Sequence, residues 1–359
     1  MKLFIFQHIL NDPVIKALLD FKKNEDESSY YTAAQGLIKY SAERLTDKNI
    51  IREYVLRQML EHNNLPDITS LRNFLRNDIK SIYNTFFETD WNKLAASKGL
   101  AAPDDISVAA QSAGLHSYAL SIESMIDCTS NEALGGAVLA HAESFGTGIT
   151  AAYAAFEWDG IGLKCHKTIS AVSLDSLAGL SEQKMYIIEN TERYIQGKSA
   201  SNILFSGAVG TGKTACVEAC LNLFKESGLR MIFISPKEAE SLPSIIKSID
   251  NSVLKYIIVI DGLDNEQIDF SDIPDTVYRS PLIYAIGSTN AKDESHFGIK
   301  LSFQAYTREE YLSAAANILK NKGIAMTPEL KIAAIQYSEG SKELSGRLAQ
   351  QFAAGILAK

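Results

Sequence analysis

A glycine-rich loop carries the most specific chemistry in this sequence. Residues 207–214 fit the pattern G-x-x-x-x-G-K-[ST] and lie between an apolar run at 202–206 and a second run at 215–224, which is the strand–loop–helix setting of a phosphate-binding loop. Glycines let successive backbone N–H groups point at a polyphosphate, and the N-terminus of the following helix adds partial positive charge. The sequence therefore predicts a nucleotide-binding loop formed by Gly207, Ala208, Val209, Gly210, Thr211, Gly212, Lys213 and Thr214.

Two side chains of this loop and one distant carboxylate predict a magnesium site. Lys213 can reach the β- and γ-phosphates, and the Thr214 hydroxyl can bind Mg²⁺. Asp261 follows the apolar run 257–260, which is typical of a buried strand. Ligands bind outside the carboxyl ends of parallel strands, so we expect Asp261 beside the loop, holding Mg²⁺ directly or through water. The alternative is a buried strand that simply ends in an aspartate before a turn.

Two further polar residues are candidates for contact with the nucleotide. Asn290 follows the apolar run 282–286 and could orient an attacking water or contact the γ-phosphate, although asparagine is also common in turns. Arg347 lies in the C-terminal helical part, where a cation could couple the bound nucleotide to the position of that part. The alternative for Arg347 is an ordinary surface arginine.

The order of apolar patterns predicts the organisation of the chain. From residue 173 onward, apolar runs alternate with helical stretches, which indicates βαβ units and a buried parallel sheet. The region before this reads as mostly helical, with residues 1–10 as a buried first helix and 163–169 as a short strand or an extended linker. We predict a helical N-terminal domain at 1–160, a nucleotide-binding domain at 173–306 and a C-terminal helical lid at 307–359. The expected strands are 203–205, 231–234, 256–260, 282–286 and 299–303.

Composition limits the class of protein. The chain of 359 residues is 46% hydrophobic and 22% charged, which is ordinary for a globular protein. Its net charge of −8 argues against a generally basic nucleic-acid binder. Four cysteines without zinc-type spacing, and no secretory signal pattern, predict a cytoplasmic protein. No apolar run reaches the length of about 18 residues that would predict a membrane span.

Together these elements resemble the AAA-type ATPases, and more closely a prokaryotic AAA-like family that is known as a domain of unknown function. The resemblance is firm from about residue 173 to the end and weaker before it. It implies an α/β P-loop NTPase fold that binds ATP and Mg²⁺, with Asp261 as the Walker B acid, Asn290 as the first sensor and Arg347 as the second. The matching residues include the segment 174–179, the loop 210–214, the run 288–290 and the segment 345–347. It also implies that Leu177, Ala178 and Gly179 lie near the adenine.

The chain also departs from those relatives in ways that predict slow hydrolysis. AAA-type enzymes place a second acid after the Walker B aspartate, whereas this chain has Gly262, and His296 stands where the near family has an arginine. Loss of an arginine finger costs roughly 10³–10⁵ in rate, and loss of a general base roughly 10²–10⁴. We therefore expect an ATP-binding switch or scaffold with weak hydrolysis, whose N-terminal helical domain binds a protein partner.

An active oligomeric ATPase of the motor or loader type is the alternative. It would need Asp264 or Glu266 as the base and an arginine such as Arg279 from a neighbouring subunit, so the sequence leaves a homo-oligomer open. A small-molecule kinase on the same loop would leave Asn290 and Arg347 unexplained.

Overall fold

A computed structural model gives the structure of the chain. It describes all residues except 63–64, 66, 107–114, 167–168, 178, 251, 264–275, 278–280, 288–295, 342 and 359, and it describes only the backbone of 276–277. The described chain forms two compact units, Met1–Tyr153 and Ala154–Lys359. None of the described helices is both long and apolar enough to cross a membrane.

The first unit is helical. Polar side chains begin several of its helices; for example, the Asp12 carboxylate accepts hydrogen bonds from the N–H groups of Val14 and Ile15, which would otherwise lack a partner within the helix. The π-helical turn Tyr83–Phe87 continues the fourth helix. The helices are α1 Pro13–Asn24, α2 Glu27–Tyr40, α3 Ile50–Leu60, α4 Arg72–Ile82, α5 Trp91–Ala96, α6 His116–Ile126, α7 Asn131–Phe145 and α8 Ile149–Ala152.

The first residues of the chain are partly buried, at Leu3, Ile5, Phe6 and Ile9, but they are not the α-helix that their apolar character predicts. Only Gln7–Asn11 is helical, as a 3-10 helix. The N–H groups of residues 4–6 all donate to the carboxylate of Asp78 on α4, at distances of 2.7–3.0 Å. This carboxylate satisfies three backbone donors that an α-helix would also leave without a partner at its first turn.

A parallel sheet forms the centre of the second unit. Its strand order is β2-β1-β5-β6-β8-β4-β9, and every neighbouring pair is parallel except β1 with the edge strand β2. A separate antiparallel pair joins β3 to β7. The strands are β1 Ala155–Trp158, β2 Leu163–Cys165, β3 Ala200–Ser201, β4 Ile203–Gly207, β5 Leu229–Ile234, β6 Lys255–Asp261, β7 Thr276–Val277, β8 Leu282–Gly287 and β9 Ile299–Phe303.

The five predicted parallel strands correspond to β4, β5, β6, β8 and β9, and the sheet is extended by β1 and β2. Strand β1 pairs with β5, so the second unit begins before the predicted boundary at residue 160. Strand β8 is buried along its whole length, as expected for a central strand covered on both faces. Strand β8 lies between β4 and β6 and is parallel to both. The carboxyl ends of β4 and β6 therefore lie at the same edge of the sheet.

Helices complete the second unit. The connecting helices are α9 Ser181–Ile195, α10 Lys213–Phe224 and α11 Leu242–Ile249, and the lid consists of α12 Arg308–Lys320, α13 Pro328–Ser338 and α14 Gly346–Leu357. Residues such as Cys216, Val217 and Cys220 of α10 are buried in the sheet core. The lid has a core of its own, centred on Tyr311, Leu319 and Phe352. This architecture, a mostly parallel sheet with helices packed against it and further helices at the C-terminal end, is the α/β fold that the sequence predicts.

Candidate functional site

The predicted loop connects the carboxyl end of β4 to the start of α10. Gly207, the last residue of β4, has a φ of +142°, and a β carbon there would lie 2.1 Å from the carbonyl oxygen of Phe303 on the neighbouring strand. Such a distance is far inside van der Waals contact, so only glycine fits. Thr211 is buried, and its hydroxyl donates a 2.8 Å hydrogen bond to the carbonyl of Ala208. This bond stabilises the turn between residues 208 and 211 of the loop.

The ammonium of Lys213 lies against the loop itself. Its Nζ donates to the carbonyl oxygens of Gly207 at 2.6 Å and Ala208 at 2.7 Å. Lys213 is also the first residue of α10, so its ammonium belongs to the N-terminus of that helix. A positive side chain together with a helix N-terminus is suited to a phosphate group.

Thr214, in the first turn of α10, lies beside Asp261 at the end of β6. The Thr214 hydroxyl donates a 2.9 Å hydrogen bond to Oδ2 of Asp261, the last residue of β6. A hydroxyl and a carboxylate are both oxygen ligands of the kind that Mg²⁺ prefers. The residues therefore fit a magnesium ion, which Thr214 and Asp261 would hold beside the phosphates.

A cavity of about 590 Å³ lies over the loop, which is within the range of small-molecule sites. The side chains of Lys213, Lys322 and Arg347 line it, and Asp261 is the single carboxylate among its described lining residues. In a chain with a net charge of −8, this local excess of cations favours an anionic ligand. Of the predicted loop residues, Gly207, Val209, Gly210, Gly212, Lys213 and Thr214 lie on the cavity wall.

The lid reaches the loop through the start of α14. The backbone N–H of Arg347 donates a 3.3 Å hydrogen bond to the carbonyl oxygen of Gly210, and the Arg347 side chain is exposed at the cavity. The structure thus places Arg347 beside the loop 207–214, and its contact with a nucleotide stays a prediction. Lys322, which follows α12, is a second lid cation at the cavity that the sequence analysis did not identify, because nothing in its local pattern distinguishes it from a surface lysine.

Apolar residues also line the cavity. Leu177 and Val172 line it from the segment before α9, and Ile318 lines it from α12. Asn222 of α10 fixes that segment by donating from Nδ2 to the carbonyl oxygens of Ser170 at 2.8 Å and Val172 at 3.0 Å. Of the three residues predicted near the adenine, Leu177 lies on the cavity wall, Gly179 abuts Glu310 of the lid, and Ala178 lies outside the described residues.

Several predicted catalytic residues cannot be placed. Asn290, Asp264, Glu266 and Arg279 lie outside the described residues. Directly after Asp261, Gly262 has a φ of +100°, a conformation that favours glycine, and the N–H groups of Gly262 and Leu263 both donate to the carbonyl of Ile286. Gly262 therefore allows the tight turn that follows β6.

Burial changes the titration of several groups on α10. It raises the pKa of Glu218, one turn beyond Thr214, and Asp261 adds to this effect while His166 opposes it. Burial also raises the pKa of Cys216 and of Cys220 to about 12, so both remain neutral thiols at physiological pH. Across the described residues, no group of three or more His, Cys, Asp or Glu side chains is arranged to hold a metal ion.

Comparison with known proteins gives one family and a set of distant structures. The family described as "Protein of unknown function (DUF815)" matches residues 151–272 and 294–359. The RuvB Holliday junction branch migration motor of Thermotoga maritima is similar at 15% identity and a TM-score of 0.40, over 52% of this chain and 64% of that chain. A variant of the same RuvB is similar at 17% identity and a TM-score of 0.39, with the same coverage. This chain thus spans just under two thirds of those RuvB chains, and no curated protein matches it.

Proposed function

This chain belongs to the DUF815 family, and on that premise we propose that it is an ATP-binding AAA-like protein that acts as a nucleotide-dependent switch or scaffold. One observation supports this proposal above the others. Lys213, the Thr214–Asp261 pair and the lid residue Arg347 all line a single cavity over the phosphate loop.

Each part of the nucleotide has a partner in this proposal. The loop N–H groups and Lys213 hold the phosphates, while Thr214 and Asp261 hold Mg²⁺. The base lies against Leu177 and Ile318, where the cavity wall is apolar. Arg347 contacts the phosphates from the lid, so that ATP joins the sheet to the lid and its loss releases them.

We propose that hydrolysis is slow. Efficient hydrolysis needs a carboxylate within hydrogen-bond reach of the attacking water, and its loss costs roughly 10²–10⁴ in rate. Gly262 occupies the position that follows Asp261, and its left-handed backbone would be strained by a larger residue. Binding of ATP does not require that carboxylate and is expected to persist.

The remaining parts of the proposal concern partners. We propose that the helical unit Met1–Tyr153 binds a protein and that the chain acts in the cytoplasm. The net charge of −8 belongs to the whole chain. Nucleic-acid binders usually carry a basic surface, so this acidic balance makes nucleic acid a poor partner. Self-association that depends on ATP would support the alternative of an active oligomeric ATPase.

A phosphate-release assay on the purified chain distinguishes the switch from the active ATPase. We expect ATP to bind with turnover far below about 1 s⁻¹, the lower limit of typical enzymes. Turnover at or above that rate, abolished by Asp261→Asn and accompanied by an ATP-dependent increase in mass, would instead establish the active oligomeric ATPase. The comparison with Asp261→Asn excludes a contaminating ATPase as the source of phosphate.

A further inference from the structure

Tyr306 lies between the sheet and the first lid helix, α12, and it contacts the segment that precedes the last lid helix, α14. It lies between β9 and α12, it is 8% exposed, and it belongs to the lid core together with Tyr311 and Leu348. Its backbone N–H donates a 2.8 Å hydrogen bond to the carbonyl of Leu344, which fixes the segment that leads into α14. The position of α14 therefore depends on the position of Tyr306.

The Tyr306 hydroxyl lies where the phosphate loop and the start of α14 approach each other. A β carbon at Gly346 would lie 3.2 Å from the hydroxyl oxygen and 3.6 Å from Cζ of the same ring, and a β carbon at Gly212 would lie 3.6 Å from that oxygen. The first distance is tighter than ordinary van der Waals contact, while the other two are ordinary. Tyr306 thus lies beside the first residue of α14, where even a methyl group at position 346 would be crowded.

The contact at Gly346 lies next to the point where Arg347 approaches the loop. Arg347 is the next residue, and its N–H bonds the Gly210 carbonyl at 3.3 Å. A β carbon at Gly210 would lie 3.1 Å from the Arg347 β carbon, so a side chain at position 210 would crowd Arg347. A misplacement of about 1 Å in a functional site can cost roughly 10²-fold in rate.

We propose that Tyr306 is a positioning residue that holds the first turn of α14 against the phosphate loop, so that Arg347 reaches the phosphates of the nucleotide. The inference rests on the proposed function and adds a residue to it. Tyr306 also lines the cavity, but its effect on phosphate binding passes through the position that it gives to Arg347. A Tyr306 that only filled the lid core would affect the stability of the lid without depending on Arg347.

The first experiment introduces a methyl group into the contact. We expect Gly346→Ala in the full chain to bind MgATP about tenfold more weakly by calorimetry, because the methyl group pushes α14 off the loop. Gly355→Ala is the matched control on the same helix, since a β carbon there meets nothing within 4 Å. Tyr306→Phe removes the oxygen and leaves two ordinary contacts at 3.6 Å, with Cζ of the ring and with the carbonyl oxygen of Gly210. The double variant Gly346→Ala with Tyr306→Phe should therefore return to within about threefold of the wild type.

The second experiment tests whether the effect passes through Arg347. In an Arg347→Ala background, Gly346→Ala should cause no further loss of MgATP affinity, because the residue it misplaces is already absent. Tyr306→Leu keeps an apolar side chain in the lid core but shortens it, and it should likewise weaken binding only when Arg347 is present. This variant keeps the test available if Gly346→Ala does not fold, as judged by thermal unfolding.

The outcomes separate this inference from the proposed function. Wild-type affinity in both Gly346→Ala and Tyr306→Leu, or losses that persist unchanged in the Tyr306→Phe or Arg347→Ala background, would overturn the role of Tyr306 alone. A wild-type chain that binds no MgATP would overturn the proposed function and this inference with it. Rescue by Tyr306→Phe and dependence on Arg347 would establish the inference.

Discussion

The hydroxyl of Thr214 and the carboxylate of Asp261 are joined by a 2.9 Å hydrogen bond. This bond connects the first turn of α10, the helix that follows β4, to the end of β6. The two residues are far apart in sequence, and β8 lies between β4 and β6 in the sheet. The folded sheet thus places a hydroxyl and a carboxylate together beside the phosphate loop. Their shared position is the basis for assigning them to magnesium.

Thr214→Val should remove most of the benefit of magnesium for ATP binding. The substitution keeps the shape of the side chain and removes the hydroxyl, so we expect the affinity for MgATP to fall about tenfold, equivalent to about 1.4 kcal/mol. Thr214→Ser retains the hydroxyl and should bind nearly as the wild type. Calorimetry with and without Mg²⁺ measures the effect, and an unchanged magnesium dependence in Thr214→Val would refute the assignment.

Asp78 should be essential for the stability of the first unit. Its carboxylate is fully buried and accepts from the N–H groups of residues 4–6. Asp78→Ala would leave those donors unsatisfied, and we expect a loss of about 3 kcal/mol in the free energy of unfolding. Urea unfolding can be followed by Trp91 fluorescence in a Trp158→Phe background, since the chain has two tryptophans. Exposed Asp47→Asn is the control, and an equal effect of both substitutions would disprove this role.

His141 should make the first unit less stable in acid. Burial lowers its pKa from 6.5 to about 4, and its neighbours are the Ser121 hydroxyl at Nδ1 and the rings of Tyr118 and Phe145. The unfolded chain takes up the proton first, so the stability contributed by neutral His141 is complete above about pH 6.5 and is lost toward pH 4, by about 3 kcal/mol.

The measurement uses the same fluorescence signal between pH 4.5 and pH 7. His141→Leu should flatten the pH dependence of the free energy of unfolding in that interval, whereas substitution of exposed His116 by Gln should leave it in place. A dependence that is as steep in His141→Leu as in the wild type would assign it to other groups.

The parallel sheet was predictable because its signals are local. Each central strand is a short apolar run between turn residues, and the loop 207–214 has a fixed pattern that lies between a strand and a helix. The short strands β1 and β2 carry little apolar signal, and β1 depends on pairing with β5, more than seventy residues later in the chain. Such long-range pairing cannot be read from a local window.

The unpredicted parts of the site and core depend on tertiary approach. Asp78 looks like a solvent-facing residue of an amphipathic helix until residues 4–6 are placed against it. Tyr306 looks like an ordinary residue before a helix until Gly346 is brought to its hydroxyl. Lys322 becomes a cavity residue only because the lid lies over the loop. In each case, the significance of the residue arises from a partner that is distant in sequence.

The most direct test of the account is a calorimetric titration of the full chain with ATP in the presence of Mg²⁺, performed alongside Lys213→Ala and exposed Lys198→Ala. We predict saturable binding by the wild type and by Lys198→Ala, and a loss of about 10²-fold or more in Lys213→Ala, because a charge-assisted contact with phosphate is removed. The absence of binding by the wild type at millimolar ATP, or undiminished binding by Lys213→Ala, would contradict the claim that the loop 207–214 is a working nucleotide site.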